Sequence, residues 1–426
     1  MSGRSKNKPE VNCDVYVLLC CYVLQKCSIS FSISISIDPQ NLFPLTVVST
    51  KNYFCFTTRI NGYCKRQFSR LLSSHTENGL STRSVTFKRA PHYILCSIER
   101  DSPLAACLYG EISIPHYGSQ RLMNIFDTKD LEYNQKVDDR HRCNWKEGDW
   151  TDDSDQMILI LRTLVQNGGK FDEKDFAKKL RHWVRHGYEE LGDTGGCGLG
   201  RTTASVLSHR DFLKNPHKAA KDVWEGSGRF IAPNGGVMRT SVLGTMEFPD
   251  LNKVIENTRS ACMVTHADPR CIASCVAVTI AIALMLQREY VFNNGEHDIN
   301  AIMSTAHWYA EQELKETPQY KDELKHHMFA ESIDKLELDS PRAIGYTFKC
   351  MGAGFWAFRQ KDFREAIQAI TMEAGDADTN CAVAGALLGC KVGFRKLPKS
   401  WVKGLCHRGW LDKEIKSYFT LLGLQH

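Results

Sequence analysis

Apolar positions along the chain fall into two textures. Beyond about Arg140 they recur every three or four residues, the period of an α-helix with one buried face. Met157-Ile158-Leu159-Ile160-Leu161 with Leu164-Val165 predicts a buried helix that stops at Gly168-Gly169. Phe176, Leu180, Trp183 and Val184 predict an amphipathic helix closed by Gly187, and Leu251, Val254 and Ile255 begin another. Further helices are expected over 299–315, 320–334, 362–374, 381–392 and 411–422. The run 272–286 is apolar almost throughout, but it is shorter than the ~20 residues a membrane span needs. Ala, Ser, Thr and Cys also dilute it, so it predicts a central helix surrounded by others. No strand run with hairpin turns follows Arg140, and no internal repeat is visible. The pattern predicts one large all-α domain over 101–426.

Residues 1–100 have a different texture. An apolar run at 15–24 follows Arg4, Lys6 and Lys8 like a signal-peptide core, without a small-residue cleavage site. A strict Ser/Ile alternation at 28–37 predicts a strand. Residues 51–100 are Arg- and Ser-rich and acid-poor, like a transit peptide displaced into the chain. Three incompatible signals in succession predict a low-complexity basic extension outside the fold.

Charge follows the same division. Residues 1–100 carry 13 Lys/Arg against 5 Asp/Glu, and the rest carries 41 against 44, so the formal net charge of +5 describes neither part. A nucleic-acid-binding domain concentrates basic charge on its folded surface, and this helical part is mildly acidic, so no nucleic-acid partner is expected. No membrane partner is expected either. The 17 cysteines are odd in number and show no C-x-x-C spacing, which signals neither a disulfide framework nor a zinc site. Cys271 and Cys275 read as buried thiols on the central helix. A reducing, cytoplasmic compartment and a monomer are expected.

The acidic residues of the helical part are clustered. Asp149-Trp150-Thr151-Asp152-Asp153-Ser154-Asp155 precedes the helix at 157–164, and Gly375-Asp376-Ala377-Asp378-Thr379-Asn380 precedes a small-residue helix. Asp and Thr are good N-caps, and acids in a first turn complement the helix dipole. Capping needs only one or two such residues, and both clusters carry a surplus at the ends of core helices. Together they offer hard oxygen ligands suited to Mg²⁺. The all-α isoprenoid synthases use D-D-x-x-D, but the fifth position here is Gln156.

Two glycine-rich segments lie between the clusters, Gly195-Gly196-Cys197-Gly198-Leu199-Gly200-Arg201-Thr202-Thr203 and Asn234-Gly235-Gly236-Val237-Met238-Arg239-Thr240. Glycines let backbone N–H groups approach a diphosphate, and a plain interhelical turn looks the same. The absence of G-x-x-x-x-G-K-[ST] excludes a P-loop NTPase. His266 precedes the central helix, as a cap or as a ligand contact.

An acid cluster, a glycine loop, Asn-Gly-Gly-x-Met-Arg, Thr-His before an apolar helix and Gly-Asp-x-Asp-Thr, in that order, resemble the ADP-ribosylglycohydrolase family from about Asp139 to the C-terminus. The resemblance implies an orthogonal all-α domain with two Mg²⁺ ions (Mn²⁺ in some members) at the floor of an ADP-ribose cleft. It implies metal-ligating roles for Thr151, Asp152, Asp153, Asp376, Asp378 and Thr379, with Asp152 and Asp153 also catalytic. Asn234, Gly235, Gly236 and Met238 match the diphosphate loop, and His266 the ribose or adenosine side. Ser154 replaces the family's usual Thr and keeps a hydroxyl.

The family's opening helix, G-D-x-x-G-x-x-x-E, is matched only in part. Leu108-Tyr109-Gly110-Glu111 aligns Glu111 with the acid near the scissile bond, but Pro103-Leu104 stands where Gly-Asp belongs and Cys107 where the second Gly belongs. The implied activity is hydrolysis of the bond between ADP-ribose and a protein side chain or small acceptor. The alternative is a relative that binds ADP-ribose without turnover or serves structurally.

Overall fold

The structure is a computed structural model and describes residues 31–35, 45–49, 103–113, 131–136 and 142–424. Its contacts divide the chain into two units, Met1–Tyr93 and Ile94–His426. In the first, β1 (Phe31–Ile35) pairs antiparallel with β2 (Leu45–Ser49), Ile33 opposite Val47. The middle of the Ser/Ile alternation therefore forms a strand. Its ends, the apolar run at 15–24 and the transit-like stretch at 51–100 lie outside the described residues.

The second unit is all-α, as the periodicity predicts. Its centre is α7 (Pro269–Gln287), in which every residue from Cys271 to Met285 except Ile272 is buried. By length and composition α7 could cross a membrane, but α6 (Leu251–Met263), α8 (Ile299–Gln312) and α10 (Thr347–Arg359) pack around it. Each buried Ile, Val or Leu contributes about 1.5–3 kcal/mol relative to exposure, so this helix is the hydrophobic anchor of the unit.

Helix α10 is absent from the periodicity reading. Gly352 and Gly354 interrupt its pattern, and both are glycine for packing reasons. A Cβ on Gly352 would lie 2.8 Å from the His327 carbonyl oxygen, and one on Gly354 2.7 Å from Val383. The second contact seats α10 against α12 (Ala377–Val392).

On another side α12 meets α1 (Pro103–Ile112), whose first residue is a proline, a residue that can open a helix because its missing N–H has no helical partner there. A Cβ on Gly385 would lie 1.9 Å from the Gly110 carbonyl oxygen, and one on Gly389 2.3 Å from that of Ala106. The small residues of α12 thus let two backbones touch.

The first acid cluster opens α2 (Asp152–Gln166), which ends at Asn167, just ahead of Gly168 at φ +60° and Gly169 at φ +89°. Helix α3 (Glu173–His186) ends on Gly187 at φ +64°, a left-handed position that glycine occupies freely. The shorter α4 (Arg201–Leu207) and α5 (Pro216–Gly226) follow the first glycine segment. The unit is completed by α9 (Lys321–Met328), α11 (Phe363–Met372), α13 (Lys399–Gly404) and α14 (Arg408–Leu421). Helix α9 stops short of the expected 334, because the chain turns through a 3₁₀ segment at Asp334–Leu336 instead.

Candidate active site

The first turn of α2 contains Asp152, Asp153 and Asp155, and that of α12 contains Asp378 and Thr379, so the second cluster is part of its helix rather than ahead of it. Neither Thr151 nor Asp376, the residues at the N-cap positions, makes a side-chain capping bond. Instead the two clusters bond to each other. Thr151 Oγ1 donates to Asp153 Oδ2 at 2.9 Å, and Thr379 Oγ1 donates to Asp153 Oδ1 at 3.0 Å. Asp153 thereby holds a threonine from each helix.

Thr151, Asp152, Asp153, Asp376, Asp378 and Thr379 all line one cavity of about 970 Å³, near the upper end of the range for small-molecule sites. Burial and the neighbouring carboxylates push Asp152 and Asp153 well above the ordinary aspartate range. Burial, then Asp378, raises Asp376 to about 7, against a lowering bond from Asn234. Among the described residues no Lys or Arg pairs with these four carboxylates, and no three His, Cys, Asp or Glu side chains are grouped so as to hold a metal ion by themselves. The donor set is hard oxygen from Asp and Thr, has no positive side chain paired to it among the described residues and opens on the cavity. Those properties fit a divalent cation bound partly by protein and partly by water or ligand. Asp155 stands apart. Its carboxyl accepts from Trp150 Nε1 at 2.8 Å and Trp183 Nε1 at 3.1 Å, burial raises it to about 8, and it does not line the cavity.

Glycines bring two loops up to this floor. Gly198, at φ +91°, passes so close to Asp152 that a Cβ would lie 2.4 Å from Oδ1. In the second loop Asn234 Nδ2 donates to Asp376 Oδ2 at 2.8 Å, which ties the loop to the α12 cluster. A Cβ on Gly235 would meet the His266 ring edge at 2.9 Å. Asn234, Gly235, Met238 and His266 line the cavity. Gly236 does not. It faces the thiols of Cys262 and Cys275, and its lack of a side chain serves packing behind the loop. His266 is no cap either, since Asp268 caps α7 by accepting from the Arg270 N–H.

Glu111 is also absent from the cavity wall. It is buried on α1, Ser241 Oγ donates to its Oε2, and Oε1 has no hydrogen-bond partner among the described residues. Burial raises its carboxyl to about 8. The acid role expected for Glu111 finds no geometric support, because α1 is packed backbone to backbone against α12 rather than along the cavity.

Several wall residues carried no signal in the sequence. Phe230 and Ile344 stand at the mouth, 81% and 41% exposed. They sit on two segments joined by backbone bonds, Asn234 N to Gly345 O at 2.9 Å and Thr347 N to Ala232 O at 3.1 Å. Arg342 and Lys349 add positive charge to the wall beside Arg201 of the first glycine segment, while Arg270 is paired with Asp268. Only the contact map of the fold brings these scattered residues together.

Comparison with known proteins matches this architecture. A family model described as ADP-ribosylglycohydrolase covers residues 108–425. An uncharacterized protein of Archaeoglobus fulgidus is 26% identical over 276 residues, 64% of this chain and 81% of its own length. The ADP-ribosylarginine hydrolase of Serratia proteamaculans is 25% identical over 64% of this chain and 68% of its own. Its counterpart in Pseudomonas putida is 24% identical over 64% of this chain and 66% of its own. A solved ADP-ribosylglycohydrolase-related protein complex shares the fold, with a TM-score of 0.52 at 20% identity over 76% of this chain and 99% of that one. Because the family model matches well over half of the sequence and takes in both acid clusters, the chain belongs to the ADP-ribosylglycohydrolase family.

Proposed function

We propose that the protein is a divalent-cation-dependent hydrolase that cleaves the glycosidic bond between ADP-ribose and a protein side chain or small acceptor. The observation that carries this reading is the convergence of four aspartates from two helix starts on one cavity, joined through Asp153. Two Mg²⁺ ions, or Mn²⁺, would be held by Thr151, Asp152, Asp153, Asp376, Asp378 and Thr379. When bound, they would supply positive charge that offsets the carboxylates and Lewis acidity towards oxygen ligands.

The chain's own groups account for the rest. Arg201 and Arg342 on the wall attract a diphosphate, and the exposed ring of Phe230 offers a flat face to a purine. Asn234 and Gly235 carry the loop that lies against the ligand. As the acceptor leaves, positive charge develops on the ribose, and carboxylate oxygens of the floor not engaged by the ions would stabilise it electrostatically. The names of the Serratia and Pseudomonas relatives favour an arginine acceptor.

Glu111 favours the second reading, a protein that binds ADP-ribose without cleaving it, because the residue aligned with the family's acid near the scissile bond is buried away from the cavity. Calorimetry with ADP-ribose, run beside turnover of ADP-ribosylated arginine and serine peptides in Mg²⁺, separates the two. Binding with turnover supports the hydrolase. Binding without turnover of either peptide supports the second reading, and no binding removes both.

A further inference from the structure

Arg239 is wholly buried and bears no carboxylate partner among the described residues. Its guanidinium lies over the Phe176 ring, 5.1 Å from the centroid. Nη1 donates to Gln156 Oε1 at 2.7 Å, and Nη2 donates to Thr265 Oγ1 at 2.7 Å and to the Ala261 carbonyl at 3.2 Å. Burial lowers its pKa only to about 10, so it remains a cation at neutral pH.

An arginine can donate hydrogen bonds and never accept them, which gives direction to everything attached to it. On one side, the Gln156 carbonyl oxygen must face Arg239, so its amide nitrogen faces outward and donates to Asp152 Oδ2 at 2.9 Å. On the other side, Thr265 Oγ1 receives the guanidinium proton and has its own proton to place. Among the described residues the one acceptor in reach is His266 Nδ1 at 2.7 Å. That nitrogen is therefore bare, and the ring carries its proton on Nε2. The Cε1–Nε2 edge lies against Gly235 at the cavity wall, and Nε2 has no hydrogen-bond partner among the described residues.

We infer that Arg239 is a positioning residue that fixes His266 as a neutral imidazole with Nε2–H aimed at the ligand, so that His266 donates to a ligand oxygen and takes no part in proton transfer. The same cation, acting through Gln156, fixes the amide so that its nitrogen is the end presented to Asp152. Burial and the facing Arg239 charge lower the His266 pKa to about 3, which agrees with the hydrogen-bond directions. The other titratable group against it is Cys262, whose thiol donates to the His266 carbonyl oxygen. The identity of the ligand oxygen rests on the proposed ADP-ribose site, whereas the direction of the hydrogen bonds does not.

The test is long-range ¹⁵N correlation spectroscopy of histidine-labelled full-length protein at pH 6 and pH 7, with the His266 signal assigned by its loss in His266→Asn. The expected spectrum shows Nε2 protonated and Nδ1 bare at both pH values. Thr265→Val should convert the signal to a tautomer mixture and weaken ADP-ribose binding about tenfold. Thr265→Ser should restore both to within about twofold, a rescue that a purely packing role would not give.

A wild-type ring protonated at Nδ1, or doubly protonated at pH 6, overturns the inference, and so does Thr265→Val with an unchanged spectrum and affinity. Should Thr265→Val fail to fold, the wild-type and Thr265→Ser spectra still decide the matter. A wild-type protein with the Nε2–H spectrum but no affinity for ADP-ribose would uphold the inference and refute the ligand.

Discussion

Helices α3, α6, α8 and α11 start on Asp172, Asp250, Asp298 and Asp362, and each carboxylate accepts an N–H of its own first turn. Helices α2 and α12 start on residues of the same kind and do nothing of the sort. Asp152, Asp153 and Asp376 leave the cap unbonded and face a shared cavity, where burial and the neighbouring carboxylates raise the pKa of each. Composition is the same in both groups. What differs is where the start points: those of α2 and α12 converge on one cavity with no Lys or Arg paired to their acids among the described residues, whereas Asp268 at the buried start of α7 caps its helix and pairs with Arg270. A buried aspartate either finds a cation or remains costly.

Removing a floor acid should have the largest effect. Asp152→Asn or Asp376→Asn is expected to lower Mg²⁺-dependent release of ADP-ribose by about 100-fold or more. In metal-free buffer at pH 8, thermal melting should show each variant at least as stable as wild type, because a repelling charge has gone. Near-normal turnover in either would end the distinction between the two groups of acids.

Thr379→Val removes the bond between the clusters and keeps every carboxylate. A loss of about tenfold in turnover is expected, with a weaker thermal shift on adding MgCl₂. Asp298→Ala belongs to the other group, and denaturant unfolding should show a loss of about 1 kcal/mol in stability with unchanged kcat.

Glu111 makes a third kind of acid, buried and neither capping nor facing the cavity. Its carboxyl titrates near 4.5 when unfolded and at about 8 in the fold. Between those values the native state holds a proton that the unfolded state has lost, so stability falls as pH rises from about 4.5 towards 8. Glu111→Gln should remove that share of the slope in unfolding curves and leave kcat intact. A collapse of kcat without loss of folding would return Glu111 to the chemistry.

The helices at 157–165 and 176–184 and the central α7 were legible because their apolar spacing records one buried face. Helix α10 was not, since Gly352 and Gly354 answer to neighbours distant in sequence. The acid clusters and the Asn-Gly-Gly loop were legible as local surpluses of one residue type. Gln156 was visible only as a mismatch to another family's motif, yet its amide holds Asp152. Its partner Arg239 is 83 positions away, and no local pattern records that bond. Phe230, Ile344 and Lys349 reach the cavity only because the chain folds their segments around it.

The central claim is that the two acid clusters form one cation-dependent catalytic floor. Its most direct test is release of ADP-ribose from an ADP-ribosylated arginine or serine substrate by the full-length protein, with MgCl₂, with EDTA, and with Asp376→Asn in place of wild type. The account predicts release in Mg²⁺ that EDTA abolishes, Mg²⁺ restores and Asp376→Asn lacks. Equal release in all three samples would contradict it.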